Sequence, residues 1–513
     1  MGDSLTTGKD AAEAGAYETA VDVIVIGSGF GGAVAADRLV RAGLRVKVLE
    51  RGPWRRTAPV LAKGLDHAVP LPIQNRPGLI MRNIRNGKGP REIRFNRRGL
   101  LEIHVGNGVK TLDSSSVGGG SHVWSALVAR PDDPAYWNGR AEGLSETLMA
   151  AHYARVEAEL GAMRPSRIET IPNHTSHAWR ESGWFEAIDE AEQYPFALRF
   201  PPQNGGRVDG AGEASRLNGE DGLFGSAGAA KANMDAIYLL PHLDAGLSVH
   251  DMHEVATIGR RETGGYEVVA KDLCSETVRA FRAPRVVLAA GTLNSVKILC
   301  DSQAAGGLKP CQYLGKGFGT NGDCLGLWLP NIRHRNSRLG SPIHGRLKIH
   351  DHPQGVNLII GGMDALPVPG WAPGFVKRWM AGIAMRRFQV IAMGADRANG
   401  SIAFSRNRLS LDYDLNDSPV YRAAFDTLQR LSDISGTRIK FDRKTAVTAH
   451  AMGGCRIGTS AGEGVVDGEG QVYGNAGLYV VDASALPAPT GSPPSLTIAA
   501  WSSHVATSLA DKI

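Results

Sequence analysis

One stretch near the start of the chain constrains its fold more than any other. Asp22-Val-Ile-Val-Ile26 is a short β-branched apolar run of the kind that forms a buried parallel strand. It leads into Gly27-Ser-Gly29-Phe-Gly31-Gly32 and a helical stretch, Ala33 to Ala42, that Gly43 stops. A second strand, Arg45-Val-Lys-Val-Leu49, then closes at Glu50. Gly27, Gly29 and Gly32 therefore give GxGxxG in the strand–turn–helix context the motif requires. Gly27 permits the tight turn, Gly29 removes a side chain where a pyrophosphate must approach, and Gly32 lets helix and strand pack closely. Free N–H groups at the helix start, with the helix dipole behind them, bind phosphate. Glu50 lies where a carboxylate accepts hydrogen bonds from adenosine ribose hydroxyls, and an acid there disfavours a 2′-phosphate. The pattern predicts a dinucleotide site without separating FAD from NAD.

Composition narrows the function class. With 42% hydrophobic and 21% charged residues the chain is ordinary globular protein, and 513 residues suffice for two domains or for one with large insertions. Its 64 glycines exceed the usual share of roughly 7%, which points to tight turns and close backbone approach to a ligand. A net charge of +6 is too modest for a nucleic-acid binder, and no zinc-finger or RNA-binding signature accompanies it. Five cysteines without CxxC spacing argue against a disulfide framework and against a metal site, and suit a reducing compartment. Met1 to Ala20 holds no apolar core of a signal peptide, and no run of about 20 apolar residues follows, so the expectation is a soluble cytoplasmic protein.

Three further segments point to FAD: Val117-Gly-Gly-Gly-Ser-His-Val-Trp124, Arg285-Val-Val-Leu-Ala-Ala-Gly-Thr-Leu-Asn-Ser-Val-Lys-Ile-Leu299, and a C-terminal block. That block contains His450-Ala-Met-Gly-Gly-Cys455, Leu478-Tyr-Val-Val-Asp-Ala-Ser484 and Pro493-Pro-Ser-Leu-Thr-Ile498. Together with Lys316-Gly-Phe-Gly-Thr-Asn-Gly-Asp323, these resemble, in order over nearly the whole chain, the glucose–methanol–choline (GMC) family of FAD oxidoreductases, cholesterol-oxidase-like branch. The resemblance implies an α/β fold: a Rossmann-type FAD-binding domain in three ββα layers, with a discontinuous α+β substrate domain built on a large mixed sheet. The FAD segments would be 1–60, 105–130, 230–322 and 448–513, and the substrate segments 61–104, 131–229 and 323–447. Gly27, Gly29, Gly32 and Glu50 would hold the ADP half. Val117, Gly118, Gly119 and Ser121 would run along the pyrophosphate and isoalloxazine, and Val255 would contact adenine. Asp482 and Ala483 would bind the ribityl and phosphate region. Pro494, Ser495 and Thr497 would start a helix pointed at the flavin, where a helix N-terminus stabilises negative charge on the reduced ring.

The implied reaction is alcohol oxidation by hydride transfer to flavin N5. It needs a base for the hydroxyl proton, and histidine exchanges protons near neutrality. His450, opening the HxxGGC motif, matches the family's active-site histidine. Two departures qualify the match. The family places Asn or His just before the proline of the last helix, whereas this chain has Pro493, whose side chain neither donates nor accepts. Ser492, Ser495 and Asn321 are the candidates to substitute, and the vacancy keeps open a non-redox, lyase-type chemistry or a structural FAD. The glutamate that cholesterol oxidases use for isomerisation is also missing from Leu358–Pro367, with Asp364 only near the position. Some relatives bind FAD covalently through a histidine that would fall on Val123, one residue past His122, so FAD is expected to be non-covalent.

Arg82 to Arg98, dense in Arg and Lys with a single Glu, reads as a loop, either a solvated one or a lid at the substrate entrance. Phe375 to Phe388 reads as a basic amphipathic helix, either packed on the substrate domain or lying on a membrane surface. These segments favour a bulky hydrophobic alcohol, sterol- or terpenoid-like, with peripheral membrane contact. Oxygen or another electron acceptor would complete the cycle.

Overall fold

β1 (Val23–Ile26) is β-branched at every position and wholly buried, as a strand in the middle of a parallel sheet must be. In the computed structural model it pairs in parallel with β2 (Val46–Leu49) on one side and with Arg285–Leu288 on the other. Leu478–Val480 and Leu247–His250 extend this five-stranded parallel sheet at its two edges. The structure describes residues 21–72, 77–86, 92–164, 188–198, 224–328, 343–350, 352, 355–362, 372–376, 378–379, 388–405 and 408–513. The helix α1 (Phe30–Arg41) covers one face of the sheet together with the C-terminal helix Ser495–Ala510. The antiparallel sheet of His253–Arg260, Tyr266–Asp272 and Val278–Ala283 packs beyond the other face, giving the expected three layers.

A second body of the molecule rests on a six-stranded sheet. Its order is Ile439–Phe441, Cys324–Trp328, Phe388–Met393, Asn357–Gly362, Ile343–Ile349, Ile188–Glu190. Alternation decides which side chains go where. Trp328, Leu358, Ile360, Val390 and Ala392 face the helix Pro419–Ser435, which buries Ala424, Leu428 and Leu431 against them. The helix starts with Pro419 at its first position and ends at Gly436 in a left-handed conformation, both of which favour those boundaries. Ile343, Ile359, Ile391 and Met393 point to the opposite face. Every pairing in this sheet is antiparallel. The mixed sheet is a separate one of five strands, where Met81–Asn86 runs parallel to Leu101–Val105 and Ala446–Thr448 parallel to Val109–Ser114. The expected large mixed sheet is thus divided into two sheets.

The basic segment is a correction. Residues 82–86 and 92–94 lie in the strands Met81–Asn86 and Glu92–Arg94 rather than in a loop, 95–98 form a turn, and 87–91, with Pro90 and two glycines, lie outside the described residues. Glu92 provides the reason: its carboxylate pairs with Arg85 Nη2 at 3.2 Å and Arg94 Nη2 at 3.1 Å, which relieves the charge repulsion across the hairpin.

Candidate active site

The two bodies enclose a cavity of about 970 Å³, at the upper end of the usual range for a ligand or cofactor pocket. Its wall includes Gly27, Gly29, Glu50, Gly119, Val255, Asp482, Ala483, Pro494 and Ser495 from the expected cofactor set. The other members of that set stand behind the wall. Gly32 backs the turn, since a Cβ there would lie 2.0 Å from Gly27 O. Gly118 has a left-handed φ of 92° and packs on Asp235 and His122. Ser121 Oγ donates to Gly118 O at 2.7 Å and accepts from Met234 N at 3.0 Å, while Val117 N donates to Pro53 O at 3.1 Å. Thr497 Oγ1 accepts from the Tyr153 hydroxyl at 3.3 Å.

Charge at this end is held by a few buried carboxylates. Glu50 accepts from Ser28 N at 3.0 Å, Ser28 Oγ at 2.7 Å and Gly52 N at 2.7 Å. Burial nevertheless pushes its carboxyl above the usual range, against the pull of those bonds and of Arg51. Asp482 joins two turns, accepting from Gly291 N at 2.9 Å and from Ser484 N at 2.9 Å, and burial raises it as well. Arg85, Glu92 and Arg94 line the cavity alongside Arg51, Glu254 and Lys271. The basic hairpin is tied to the Glu50 end through Glu102, which pairs with Arg51 at 2.9 Å and Arg82 at 3.2 Å.

The residues fit a dinucleotide. A Cβ on Gly29 would meet nothing closer than Gly119 Cα at 3.8 Å, so the backbone is bare where it faces the cavity. The helix N-termini at Gly29 and Pro494 carry no side-chain cap, which leaves N–H groups available to a phosphate and to an electron-rich ring. His122 is buried with Nε2 2.8 Å from Val117 O, and burial pulls its proton affinity down to about 3; it is Val123 that lines the cavity.

At the other end His450 meets the six-stranded sheet. His450 N donates to Thr448 Oγ1 at 2.8 Å, and His450 Nδ1 lies 3.0 Å from the Asp323 carboxylate. Burial lowers the proton affinity of the imidazole, and the charge and hydrogen bond of Asp323 outweigh that and leave it raised. The apolar floor is Leu325, Ile343, Ile359, Ile391 and Met393, with Gln389 the polar side chain on the same strand face. Phe30 and Trp124 add an edge-to-face aromatic pair at 4.9 Å.

Of the three candidates to replace the missing Asn/His, Ser495 reaches the cavity, with its Oγ 3.4 Å from Leu127 O. Asn321 is fully buried with both ends of its amide in use. Its Nδ2 donates to Ser492 O at 2.9 Å and its Oδ1 accepts from Gly491 N at 2.8 Å. Ser492 Oγ donates to Arg130 O at 2.7 Å. Both side chains therefore hold the loop that carries Pro493 and Pro494 to the wall. Asp364 lies outside the described residues. Sequence reasoning did not single out Asp323 or the apolar floor. The alternation Gln389–Ile391–Met393 was a signal for the floor, and Asp323 lay at the end of an already quoted motif.

A bare glycine turn, an acid after the second strand and a second body with a histidine are the features of a dinucleotide-dependent oxidoreductase. Comparison with known proteins agrees. The FAD binding domain family matches residues 22–78, and GMC oxidoreductase matches residues 383–502. A cholesterol oxidase of Acinetobacter baumannii is 28% identical over 93% of this chain and 92% of its own length. A long-chain-alcohol oxidase of Arabidopsis thaliana is 22% identical over 95% of this chain and 68% of its own. The crystal structure of pyridoxine 4-oxidase from Mesorbium loti superposes with a TM-score of 0.61 at 15% identity, over 95% of this chain and 99% of that one, a likeness of fold. A C-terminal stretch of the chain thus matches the GMC oxidoreductases and an N-terminal one the FAD binding domain, and the chain is an FAD-dependent enzyme acting on the CH–OH group of a small-molecule alcohol, with an electron acceptor as second substrate.

Proposed function

We propose that the enzyme oxidises a bulky, hydrophobic secondary alcohol, sterol- or terpenoid-like, with His450 as the base. The observation that carries this reading is the pairing of one histidine with an apolar floor in the same cavity. His450 takes the hydroxyl proton, and the floor from Leu325 to Met393 holds the hydrocarbon body and excludes water. Bound FAD supplies the acceptor for the carbinol hydride. Gly27, Gly29, Gly119, Glu50, Val255, Asp482, Ala483, Pro494 and Ser495 hold it, and the buried His122 with Val at 123 favours non-covalent attachment. The division into FAD segments 1–60, 105–130, 230–322 and 448–513 and substrate segments between them is supported by the cavity, which residues of both sets line. Relatives named as oxidases favour redox chemistry over the lyase alternative.

Exposed Phe375 and Trp379, one helical turn apart beside Arg378, support a peripheral membrane contact from which such an alcohol is drawn. The rest of that basic segment, 377 and 380–387, lies outside the described residues. Among the described residues no helix is long and apolar enough to cross a membrane.

The test is anaerobic titration of the holoenzyme with sterols, terpenoid alcohols, sugars and aryl alcohols, followed by flavin bleaching. Apolar secondary alcohols are expected to bleach it, and His450→Gln to slow bleaching by about 10²–10⁴-fold with FAD still bound. Bleaching by sugars alone, or an unimpaired His450→Gln, overturns the reading.

A further inference from the structure

We infer that Asp323 is a positioning residue that fixes the tautomer of His450 and stabilises the imidazolium formed when the alcohol is deprotonated. The inference rests on His450 acting as base.

Three observations carry it. The first is direction. An ionised carboxylate only accepts hydrogen bonds, so the 3.0 Å contact places the proton of neutral His450 on Nδ1. Nε2 is left with its lone pair, has no partner among the described residues, and belongs to a side chain 23% exposed at the cavity. The second is isolation. The Asp323 side chain is 6% exposed, and among the described residues no Lys or Arg pairs with it. Its hydrogen-bonding partners are Thr448 Oγ1 at 2.7 Å and His450. A buried charge without a cation is costly, and the cation that relieves it here is His450 after it has taken a proton. The carboxylate therefore favours the proton-transferred state over the resting one, the condition for lowering a barrier. The third is rigidity. Thr320, in the same turn, donates through N and Oγ1 to Asp396 at 2.8 and 2.6 Å, and Tyr413 donates to that carboxylate at 2.7 Å. Thr448 bridges the turn to the histidine segment.

In the step so described, the alcohol O–H breaks and its proton passes to Nε2. FAD, when bound, would take the hydride that the carbinol carbon gives up as the carbonyl forms, so the alcohol loses one proton and one hydride. Asp323 keeps its charge throughout. With Pro493 unable to hydrogen-bond through its side chain, the dyad supplies from behind the histidine part of what a second polar side chain would supply in front of it.

Other groups do not mask the effect. The elements packed on His450 present Thr292, which donates to Ala451 O, and Gly319, bridged to Met452, neither of them charged. Asp396, Tyr413 and Tyr421 reach the turn through Thr320.

The experiment compares wild type, Asp323→Asn and Asp323→Glu as FAD-loaded enzymes. It measures flavin reduction against pH and the ¹⁵N imidazole titration of His450, assigned by its loss in His450→Gln. The negative charge favours imidazolium, so removing it lowers the histidine pKa. In Asp323→Asn the low-pH limb and the NMR titration are both expected to move down by about one to three units. The plateau rate is expected to fall by roughly 10²-fold, FAD content to be unchanged, and Asp323→Glu to recover part of the rate. An unmoved titration, or a rate loss with no pH shift, overturns the inference. A wild type that no alcohol reduces overturns the His450 reading instead, and the NMR arm still reports on the dyad.

Discussion

Gly27 and Gly29 stand two residues apart in one turn, and their surroundings give them different duties. A Cβ on Gly27 would lie 2.2 Å from Ala289 O, and its φ is +93°, so Gly27→Ala strains the backbone and strikes the neighbouring strand end. Gly29→Ala meets only Gly119 Cα at 3.8 Å, on the cavity side. Gly29→Ala is therefore expected to fold with a melting temperature near wild type but to bind FAD at least about 10-fold more weakly, as measured by flavin release; Gly27→Ala is expected to fail already as apoprotein. Wild-type FAD affinity in Gly29→Ala would remove that backbone from the site. These glycines were legible in the sequence because the motif is local: strand, turn and helix adjoin in the chain. Asp323 was not, because its partner is 127 positions away and only the packed sheet brings them together.

At the scale of elements, the loop that carries Pro493 is held from outside. Asn321, itself at a left-handed φ of 58°, takes Gly491 N and Ser492 O, while Asn357 Nδ2 donates to Gly491 O at 2.9 Å. Asn321→Ala leaves the buried Gly491 N–H unpaired, while Ser492 O keeps the Thr490 hydroxyl at 2.6 Å, and is expected to destabilise the protein by about 1–3 kcal/mol, read by denaturant titration. The slope with denaturant should be unchanged. If stability holds and flavin reduction alone collapses, Asn321 has a direct catalytic part. The basic hairpin teaches the same lesson. The segment read as a loop, either solvated or a lid, yet its residues 82–86 and 92–94 lie in paired strands whose arginines Glu92 and Glu102 hold against the Glu50 end of the cavity.

Across the whole molecule, the cavity lies between two bodies with separate cores, one around the parallel sheet and one between the six-stranded sheet and the helix Pro419–Ser435. A ligand that binds only the folded form and touches both couples them. Stripping FAD is expected to lower the melting temperature, by the equivalent of about 4 kcal/mol if free FAD is at 1,000 times its Kd, and re-addition to restore it. Equal melting of apoprotein and holoprotein would place FAD elsewhere. The sequence by itself determined the dinucleotide turn and the parallel strands beside it, and carried the family resemblance and the HxxGGC motif, because each is written in residues that are neighbours or in motifs of fixed order. Tertiary structure alone decided that Asn321 holds a loop, that the arginine-rich hairpin sits at the nucleotide end, and that Asp323 backs His450. Those roles depend on which distant hydrogen-bonding groups and charges packing brings within about 3 Å, a relation that composition and spacing do not record.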